Sequence, residues 1–219
     1  MRFGIISDIH ANLEALTVAL EVLEKEGVDQ IICLGDVVGY NANPAECLSI
    51  IIEKQIPSIR GNHERYVIGE KDEETLKIDT LHMIEWTRSQ LNQEQIQFLM
   101  DHMPNKMQHE CGFLITHGSP KNKDEYLLKL HSFVANLKLM EEKYPEVKVC
   151  FHGHTHLPSL MGKGHVVQNI QENMTVQLLA DKQYLINPGS VGQPRDRCPL
   201  TAFGIYDDKI GRASCRERV

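Results

Sequence analysis

Short apolar runs that stop at a polar residue recur along the chain. Runs of this length, rich in β-branched residues and ended by Gly, Asp or Asn, are typical of buried strands. The pattern therefore predicts a sheet whose strands end at polar side chains. The runs are RFGIISD, DQIICLGD, IPSIRGNH, CGFLITHG, EVKVCFHGH and QYLINPGS.

Helical periods separate several of these runs. Leucines recur at helical spacing over residues 12–26, and the stripe stops at Gly27, a residue that favours a helix C-cap. Asn43 followed by Pro44 predicts the N-cap and first position of a second helix. A further amphipathic helix is predicted over residues 122–143.

The order of these elements predicts one α/β domain over residues 1–209. Strand and helix alternate over about the first 65 residues, which favours βαβ units and a largely parallel sheet. Residues 70–108 are charged and helical in pattern, and they are predicted to form an inserted cap. After residue 157 the apolar runs shorten, and we expect antiparallel strands joined by turns.

Residues 210–219, IGRASCRERV, do not continue the preceding pattern, because arginines replace the apolar period. They resemble a translated reading frame of a sequencing adapter. The hypothesis is that this segment is not natural sequence and that the natural C-terminus is missing. The alternative is a real basic tail.

Composition narrows the class of protein. A formal net charge of -7 and a pI near 5.9 disfavour a basic face for nucleic acid or anionic membranes, so neither is expected as a partner. No apolar stretch is long enough for a signal peptide or a membrane span. The six cysteines form no CxxC pair, which favours a reducing compartment, and the expected location is cytoplasmic.

Polar side chains stand where the predicted strands end. Because the carboxyl ends of parallel strands meet at one edge of a sheet, these side chains are expected to share a cleft. Carboxylates, imidazoles and an amide without thiolate suit a borderline to hard divalent ion such as Mn, Fe, Co, Ni or Zn. The residues are Asp8, His10, Asp36, Asn62, His63, His117, His154 and His156.

The ordered motifs DIH, GD, GNHE, HG and GHTH, with NPGSVGQPR further on, resemble the calcineurin-like metallophosphoesterase superfamily, especially its small prokaryotic phosphodiesterase-type members. The resemblance covers almost the whole of residues 1–208. It implies a four-layer α/β sandwich, in which helices flank two mixed β-sheets. Serine/threonine protein phosphatases of the superfamily carry GDxVDRG, whereas this chain has GDVVGYNANP without arginine, which disfavours that activity.

The resemblance implies two metal sites that share one carboxylate. The first would use Asp8, His10, Asp36 and His156, and the second Asp36, Asn62, His117 and His154. His63 is implied as a proton donor or phosphate contact, and Asn62 joins it in the catalytic set. Manganese is the metal expected at both sites.

Two metals can acidify a bridging water, giving a hydroxide nucleophile, and can hold the phosphoryl oxygens during displacement. The expected activity is hydrolysis of a small phosphate ester, in the first place a phosphodiester, with a nucleotide as one candidate. The alternatives are a phosphomonoesterase, a dinucleotide polyphosphate hydrolase, or a catalytically silent scaffold with this fold. The sequence leaves the oligomeric state open.

Four further residues are predicted to contact substrate. Arg60 and Arg195 are cations beside the motifs, although surface or ion-pair roles are equally compatible with them. Glu64 follows His63 and could orient it. Asn187 begins the Gly-rich loop at 187–192, which either borders the cleft or is a plain turn.

Overall fold

The computed structural model of the chain describes residues 1–71, 74, 76–162, 165–168, 170, 173–209 and 211–218. The helices are α1 (Leu13–Lys25), α2 (Pro44–Glu53), α3 (Asn62–Val67), α4 (Ile78–Gln90), α5 (Gln93–Asp101) and α6 (Leu130–Lys143). The strands are β1 (Arg2–Ile6), β2 (Gln30–Cys33), β3 (Lys106–Gln108), β4 (Phe113–Thr116), β5 (Val149–Phe151), β6 (Ser159–Gly162), β7 (His165–Gln168), β8 (Met174–Gln177), β9 (Tyr184–Asn187), β10 (Ala202–Asp207) and β11 (Arg212–Arg218).

The strands form two mixed sheets. The first sheet has the order β2-β1-β10-β11-β8, and the second has the order β3-β4-β5-β9-β6-β7. In the first sheet β1 and β2 are parallel, with Ile6 opposite Cys33. In the second sheet β4, β5 and β9 are parallel, with Ile115 opposite Phe151 and Phe151 opposite Ile186. The parallel strands of each sheet therefore end together.

Apolar side chains between the sheets make the central core. Phe3 and Ile5 of β1 pack in one buried cluster with Phe113 of β4 and Phe151 of β5. Full burial of side chains of this kind contributes about 1.5–3 kcal/mol each. Because every second residue of a strand faces the opposite side, each sheet also offers an outer apolar face.

Helices cover those outer faces. One buried cluster joins the first sheet to α1, α2, α4 and α5, and includes Ile6, Leu16 and Leu48. A smaller cluster joins the second sheet to α6, and includes Leu114, Phe133 and Leu185. The result is the four-layer α/β sandwich that the family resemblance implied. Within the described part of the chain, no helix has the length and apolar character needed to cross a membrane.

The predicted α1 and α2 are present with nearly the expected bounds. Gly27 follows the end of α1 with a φ of 65°, the left-handed conformation that ends many helices. Asn43 is the N-cap residue of α2, but its side chain makes no capping hydrogen bond, and Pro44 supplies the favourable first position.

Two predicted elements were wrong in extent. The run IPSIRGNH is not a strand, since within it the described pairing is a single parallel bridge between Ser58 and Cys33. The helix expected over residues 122–143 begins only at Leu130. Asn122 instead accepts a hydrogen bond from the backbone N–H of Asp124, at 2.9 Å, and this local turn competes with helix.

The region predicted as a cap contains α4 and α5, and β3 lies at its end. Both helices pack on α2, and α4 also contacts α3. The C-terminal segment, which the sequence pattern left without a structural role, forms β11 between β10 and β8. The hypothesis on the origin of that segment stays a prediction.

Candidate metal centre

The polar residues that follow the parallel strands converge where the two sheets end. Asp8 follows β1 and Asp36 follows β2, both in the first sheet. From the second sheet, His117 follows β4, and His154 and His156 follow β5. All five side chains are buried. The motifs that lie far apart in the sequence therefore meet in one buried cluster.

The backbone at these residues is unusual. Asp8, His10, Asp36, His154 and His156 all have φ between 48° and 66°, in the left-handed region that residues other than glycine rarely adopt. Hydrogen bonds between neighbouring turns hold this conformation. The N–H of His10 donates to the carbonyl of Asp36 at 2.8 Å. Local strain of this kind is typical of functional sites.

A first group of ligand atoms contains Asp8, His10 and His156. The Nε2 atoms of the two histidines are 3.1 Å apart, and Nε2 of His156 is 3.3 Å from Oδ1 of Asp8. Each Nδ1–H donates to a backbone carbonyl, that of Val38 for His10 and that of Gln193 for His156. Both Nε2 atoms therefore present lone pairs to the same small volume, an arrangement that a cation stabilises.

A second group contains Asp36, His117 and His154. Nδ1–H of His117 donates to the carbonyl of Leu34 at 2.8 Å, which turns its Nε2 towards Oδ2 of Asp36, 3.1 Å away. Nε2 of His154 and Oδ1 of Asn62 are buried atoms without a hydrogen-bond partner among the described residues. Such atoms are costly in a folded protein unless a ligand satisfies them.

Asp36 lies between the two groups. Its Oδ2 is 3.1 Å from Nε2 of His117 and 3.7 Å from Nε2 of His10. Its Oδ1 accepts the backbone N–H of His63 at 2.9 Å. The donor set of carboxylates, imidazoles and one amide oxygen fits a pair of divalent metal ions that share Asp36.

The pKa shifts of the candidate metal-ligating side chains indicate which of them are charged before a metal binds. Burial would raise the pKa of Asp36, but the imidazoles of His117 and His63 lower it well below its usual range. Burial lowers the pKa of His10 and lowers that of His154 to about 3, so both imidazoles are neutral. Burial acts in the same direction on His117, but Asp36 raises its pKa to about 9. Metal binding at His117 would therefore release a proton.

His63 lies beside both groups, and with His10 and Asp36 it forms a third set of atoms close enough together to hold an ion. Its ring centroid is 4.7 Å from that of His10, and its side chain is buried. Burial lowers its pKa, while the charge of Asp36 opposes that change. The structure therefore places a further imidazole next to the atoms where a substrate would meet the metals.

Comparison with known proteins decides the family. The model of the calcineurin-like phosphoesterase superfamily domain matches residues 1–208. The chain belongs to this superfamily. The uncharacterised protein MJ0912 of Methanocaldococcus jannaschii is 34% identical over 212 residues, which are 94% of this chain and 82% of that protein.

Solved structures share the fold of this chain. A metallophosphoesterase from Sphaerobacter thermophilus is 33% identical with a TM-score of 0.82, over 100% of this chain and 88% of that one. The hypothetical protein PH1004 of Pyrococcus horikoshii OT3 shares the fold at 19% identity, with a TM-score of 0.75 over 98% of this chain and 87% of that one. The chain therefore has a metallophosphoesterase fold, and its family implies divalent metal ions.

The expected substrate role of Glu64 in this phosphoesterase needs correction. Glu64 is fully buried, and its carboxylate accepts backbone N–H groups from both motif loops. The donors are Asp36 at 2.9 Å, Val37 at 2.7 Å, Val38 at 3.1 Å and Gly61 at 2.7 Å. Both oxygens are occupied, so Glu64 supports the metal loops and does not face a substrate.

Asn187 also has a supporting role instead of a substrate contact. It is buried, and its Nδ2 donates to the carbonyl of Gly153 at 2.9 Å and to Oγ1 of Thr155 at 3.0 Å. Its Oδ1 accepts the N–H of Gly189 at 2.8 Å. Asn187 thereby fixes the turn between β5 and the two histidines of GHTH.

The two arginines differ in their surroundings. Arg60 is largely buried and its guanidinium is 2.8 Å from the carboxylate of Glu70, so it acts as an ion-pair partner in this structure. Arg195 is exposed, donates to Oε1 of Gln193 at 2.9 Å, and lies close to the hydroxyl of Tyr40. Of the four predicted substrate contacts, Arg195 is the one that the structure leaves at an open position.

Sequence reasoning missed two tyrosines beside the ligands. The ring of Tyr126 lies 3.8 Å from that of His154, and the ring of Tyr40 lies 4.7 Å from that of His10. Neither belongs to a ligand motif. Their positions in the sequence could have indicated them, because Tyr40 lies four residues after the GD motif and Tyr126 lies eight residues after the HG motif.

Proposed function

We propose that the protein hydrolyses small phosphodiesters at a dinuclear metal centre. The observation that carries the proposal is a pair of buried atoms without partners, Nε2 of His154 and Oδ1 of Asn62, in the cluster of carboxylates and imidazoles around Asp36. Such groups are costly when buried, and a bound metal ion would satisfy them.

The residues divide into two ligand sets around Asp36. Asp8, His10 and His156 would complete the first site with Asp36, and Asn62, His117 and His154 the second. Bound divalent ions would supply an acidified water as nucleophile and neutralise charge on the phosphoryl oxygens.

His63 is suited to protonate the leaving oxygen. Burial lowers the pKa of its imidazole, and the negative phosphate of a bound substrate would raise it again. A value near neutrality is the range in which an imidazole transfers protons efficiently. Its backbone N–H is held by Asp36, which keeps the ring close to the reaction.

A diester fits the surroundings of the ligand cluster better than a monoester. A monoester carries up to two negative charges and benefits from a cationic clamp. The loop after Asp36, with sequence VVGYNANP, contains no arginine, and the Arg60 guanidinium is engaged by Glu70. Arg195 is then a single cation at the rim and not a clamp. A diester carries one charge and a second organic group, for which Tyr40 and Tyr126 offer contact surface.

The decisive experiment compares hydrolysis of bis(4-nitrophenyl) phosphate and 4-nitrophenyl phosphate, with added manganese and with chelator. We expect turnover of the diester that depends on metal. Asp36→Asn should abolish it together with metal binding. His63→Ala should lower kcat by about 100-fold for a diester with an alkoxide leaving group, which needs a proton, while metal content is retained.

Matched controls are Asp181→Asn and His131→Ala, which change exposed residues of the same types. Both should leave turnover unchanged. If folded, metal-loaded wild-type protein hydrolysed neither ester, the proposed activity would be wrong and the scaffold alternative would be favoured.

Manganese and a cytoplasmic location belong to the same proposal. Oxygen and imidazole donors without thiolate suit manganese, although cellular supply also decides occupancy. Free thiols at Cys33, Cys47, Cys111 and Cys150 support a reducing compartment. Metal analysis of protein purified from its own host without chelator tests the first point.

A further inference from the structure

Two exposed tyrosines stand on different sides of the ligand cluster. Tyr126 is 49% exposed and packs its ring on His154, at an interplanar angle of 34°. Tyr40 is 43% exposed, and its ring contacts His10 and His63 at centroid distances of 4.7 and 4.5 Å. One tyrosine therefore adjoins the second metal group and the other adjoins the first.

The two phenols adjoin one cluster of side chains. Tyr126 lies against His154, Tyr40 lies against His10, and Asp36 is within ligand distance of both imidazoles. A half-exposed tyrosine ring beside such a cluster offers a flat apolar face and a polar tip to a ligand.

The loop that carries Tyr126 is rigid. Asp124 accepts hydrogen bonds from the buried guanidinium of Arg65. Glu125 accepts from Ser119 at 2.6 Å and from Asn136 at 3.0 Å. Because both residues before Tyr126 are anchored, its ring is already ordered, and stacking on it would cost little conformational entropy.

The loop that carries Tyr40 is also fixed. Tyr40 adopts a left-handed φ of 68°, and the following Asn41 donates through its backbone N–H and its side chain to the carbonyl of His10, at 3.2 and 2.8 Å. The position of the Tyr40 ring is thereby tied to that of a metal-ligand residue.

We propose that Tyr126 and Tyr40 form an aromatic mouth that selects phosphodiesters carrying a flat aromatic ring, specifically a nucleobase, next to the scissile phosphate. The inference rests on the proposed function and names its substrate class. An aromatic face stacks on any nucleobase, and Arg195 beside Tyr40 adds a cation at the rim.

The test uses two ligands that differ only in the base. Adenosine 5′-monophosphate and ribose 5-phosphate are titrated by calorimetry into manganese-loaded protein. Wild type should bind the nucleotide about 10- to 100-fold more tightly, the range that base–aromatic stacking supplies. Ribose 5-phosphate is an internal reference, because lost folding or lost metal would weaken both ligands together.

Variants separate stacking from simple coverage of His154. Tyr126→Phe keeps the aromatic face and should keep the preference for the nucleotide. Tyr126→Leu still covers the imidazole but offers no ring, and it should reduce the ratio of the two dissociation constants to within about threefold. Tyr40→Leu should reduce the ratio as well, and Met100→Ala, at an exposed residue on α5, should leave it unchanged.

The inference would be overturned if wild type bound the two ligands equally. It would also be overturned if the ratio of the two dissociation constants stayed unchanged in both leucine variants. Hydrolysis of bis(4-nitrophenyl) phosphate is measured on the same preparations. Hydrolysis without a base preference defeats this inference alone, and a base preference without hydrolysis supports it while defeating the proposed function.

Discussion

The buried carboxylate of Glu64 fixes two loops that carry proposed metal ligands. It accepts four backbone N–H groups, three from residues 36–38 and one from Gly61. Burial raises its pKa to about 7, with the charge of Asp36 acting in the same direction and the N–H donors opposing it. The residue next to the implied proton donor is therefore a structural anchor.

Glu64→Gln should weaken that anchor, because the amide NH2 would place hydrogens against N–H donors. We expect a loss of about 2–3 kcal/mol in the free energy of unfolding. Manganese affinity should fall by about 10- to 100-fold, as for other residues that orient ligands. Urea unfolding and a manganese titration measure the two effects.

The matched control is Glu141→Gln, which changes an exposed glutamate on α6. It should alter stability by less than about 0.5 kcal/mol. Equal stability and metal affinity for Glu64→Gln and wild type would show that the four hydrogen bonds do not hold the loops.

At the scale of elements, α3 is joined to the loop before α6 by ion pairs. The buried Arg65 side chain and Lys71 both contact the carboxylate of Asp124. Burial acts to raise the pKa of Asp124, but the hydrogen bonds from Arg65 and Lys71 lower it well below its usual range. This link connects the GNHE motif to the segment that carries Tyr126.

Asp124→Asn should destabilise the metal-free protein at pH 7 by about 1–2 kcal/mol. The effect is smaller than for a fully buried pair because Asp124 is partly exposed. A carboxyl whose pKa is lowered by folding contributes stability above its unfolded pKa of about 3.9 and loses it as the pH falls further. The difference between variant and wild type should therefore shrink below about pH 4.

Urea unfolding at pH 7 and near pH 3.5, in chelator, measures this dependence. Asp101→Asn, at an exposed position on α5, is the control and should follow wild type at both values. A difference that stayed constant over the acid range would mean that the Asp124 charge is not what stabilises the link.

Most sheet elements were predictable because their signal is local. The runs that became β1, β2, β4 and β5 are mainly apolar and end at a polar motif, so the pattern predicts that the polar residues after them meet at one edge. The strand β11 could not be predicted, because its arginine-rich sequence has no apolar period and partners on both sides supply its pairing.

The roles of individual polar residues were harder to predict. Glu64 and Asn187 look like active-site groups in sequence, yet their partners are backbone groups of distant loops. The late start of α6 has the same origin, since Asp124 is engaged by Arg65, 59 residues earlier. Contacts of this kind depend on the folded arrangement and leave no periodic trace in the chain.

At the scale of the whole molecule, the implied metal ligands and the strands that complete the first sheet come from different parts of the chain. The implied metal ligands all lie within residues 8–156, whereas β10 and β11 complete the first sheet from the C-terminal part. Among the described pairings, β8 joins its sheet through β11. Stability and metal chemistry should therefore respond differently to changes near the C-terminus.

Removing residues 210–219 should expose the edge of β10 and leave β8 without its partner. A loss of about 3 kcal/mol would lower the Tm by about 6–12 °C in a chain of this size. Metal content and diesterase activity at 25 °C should remain. An unchanged Tm, measured by calorimetry against the full chain, would show that the segment adds nothing to the fold.

The two ligand groups also take residues from both sheets. Asp8 and Asp36 follow strands of the first sheet, and His117 and His156 follow strands of the second. An ion bound in either group would join the layers, so its binding free energy would become folding free energy, about 2.7 kcal/mol at a hundredfold excess over Kd. A cell starved of the metal would then lose the protein itself to its proteases, and abundance would follow the supply of a trace element.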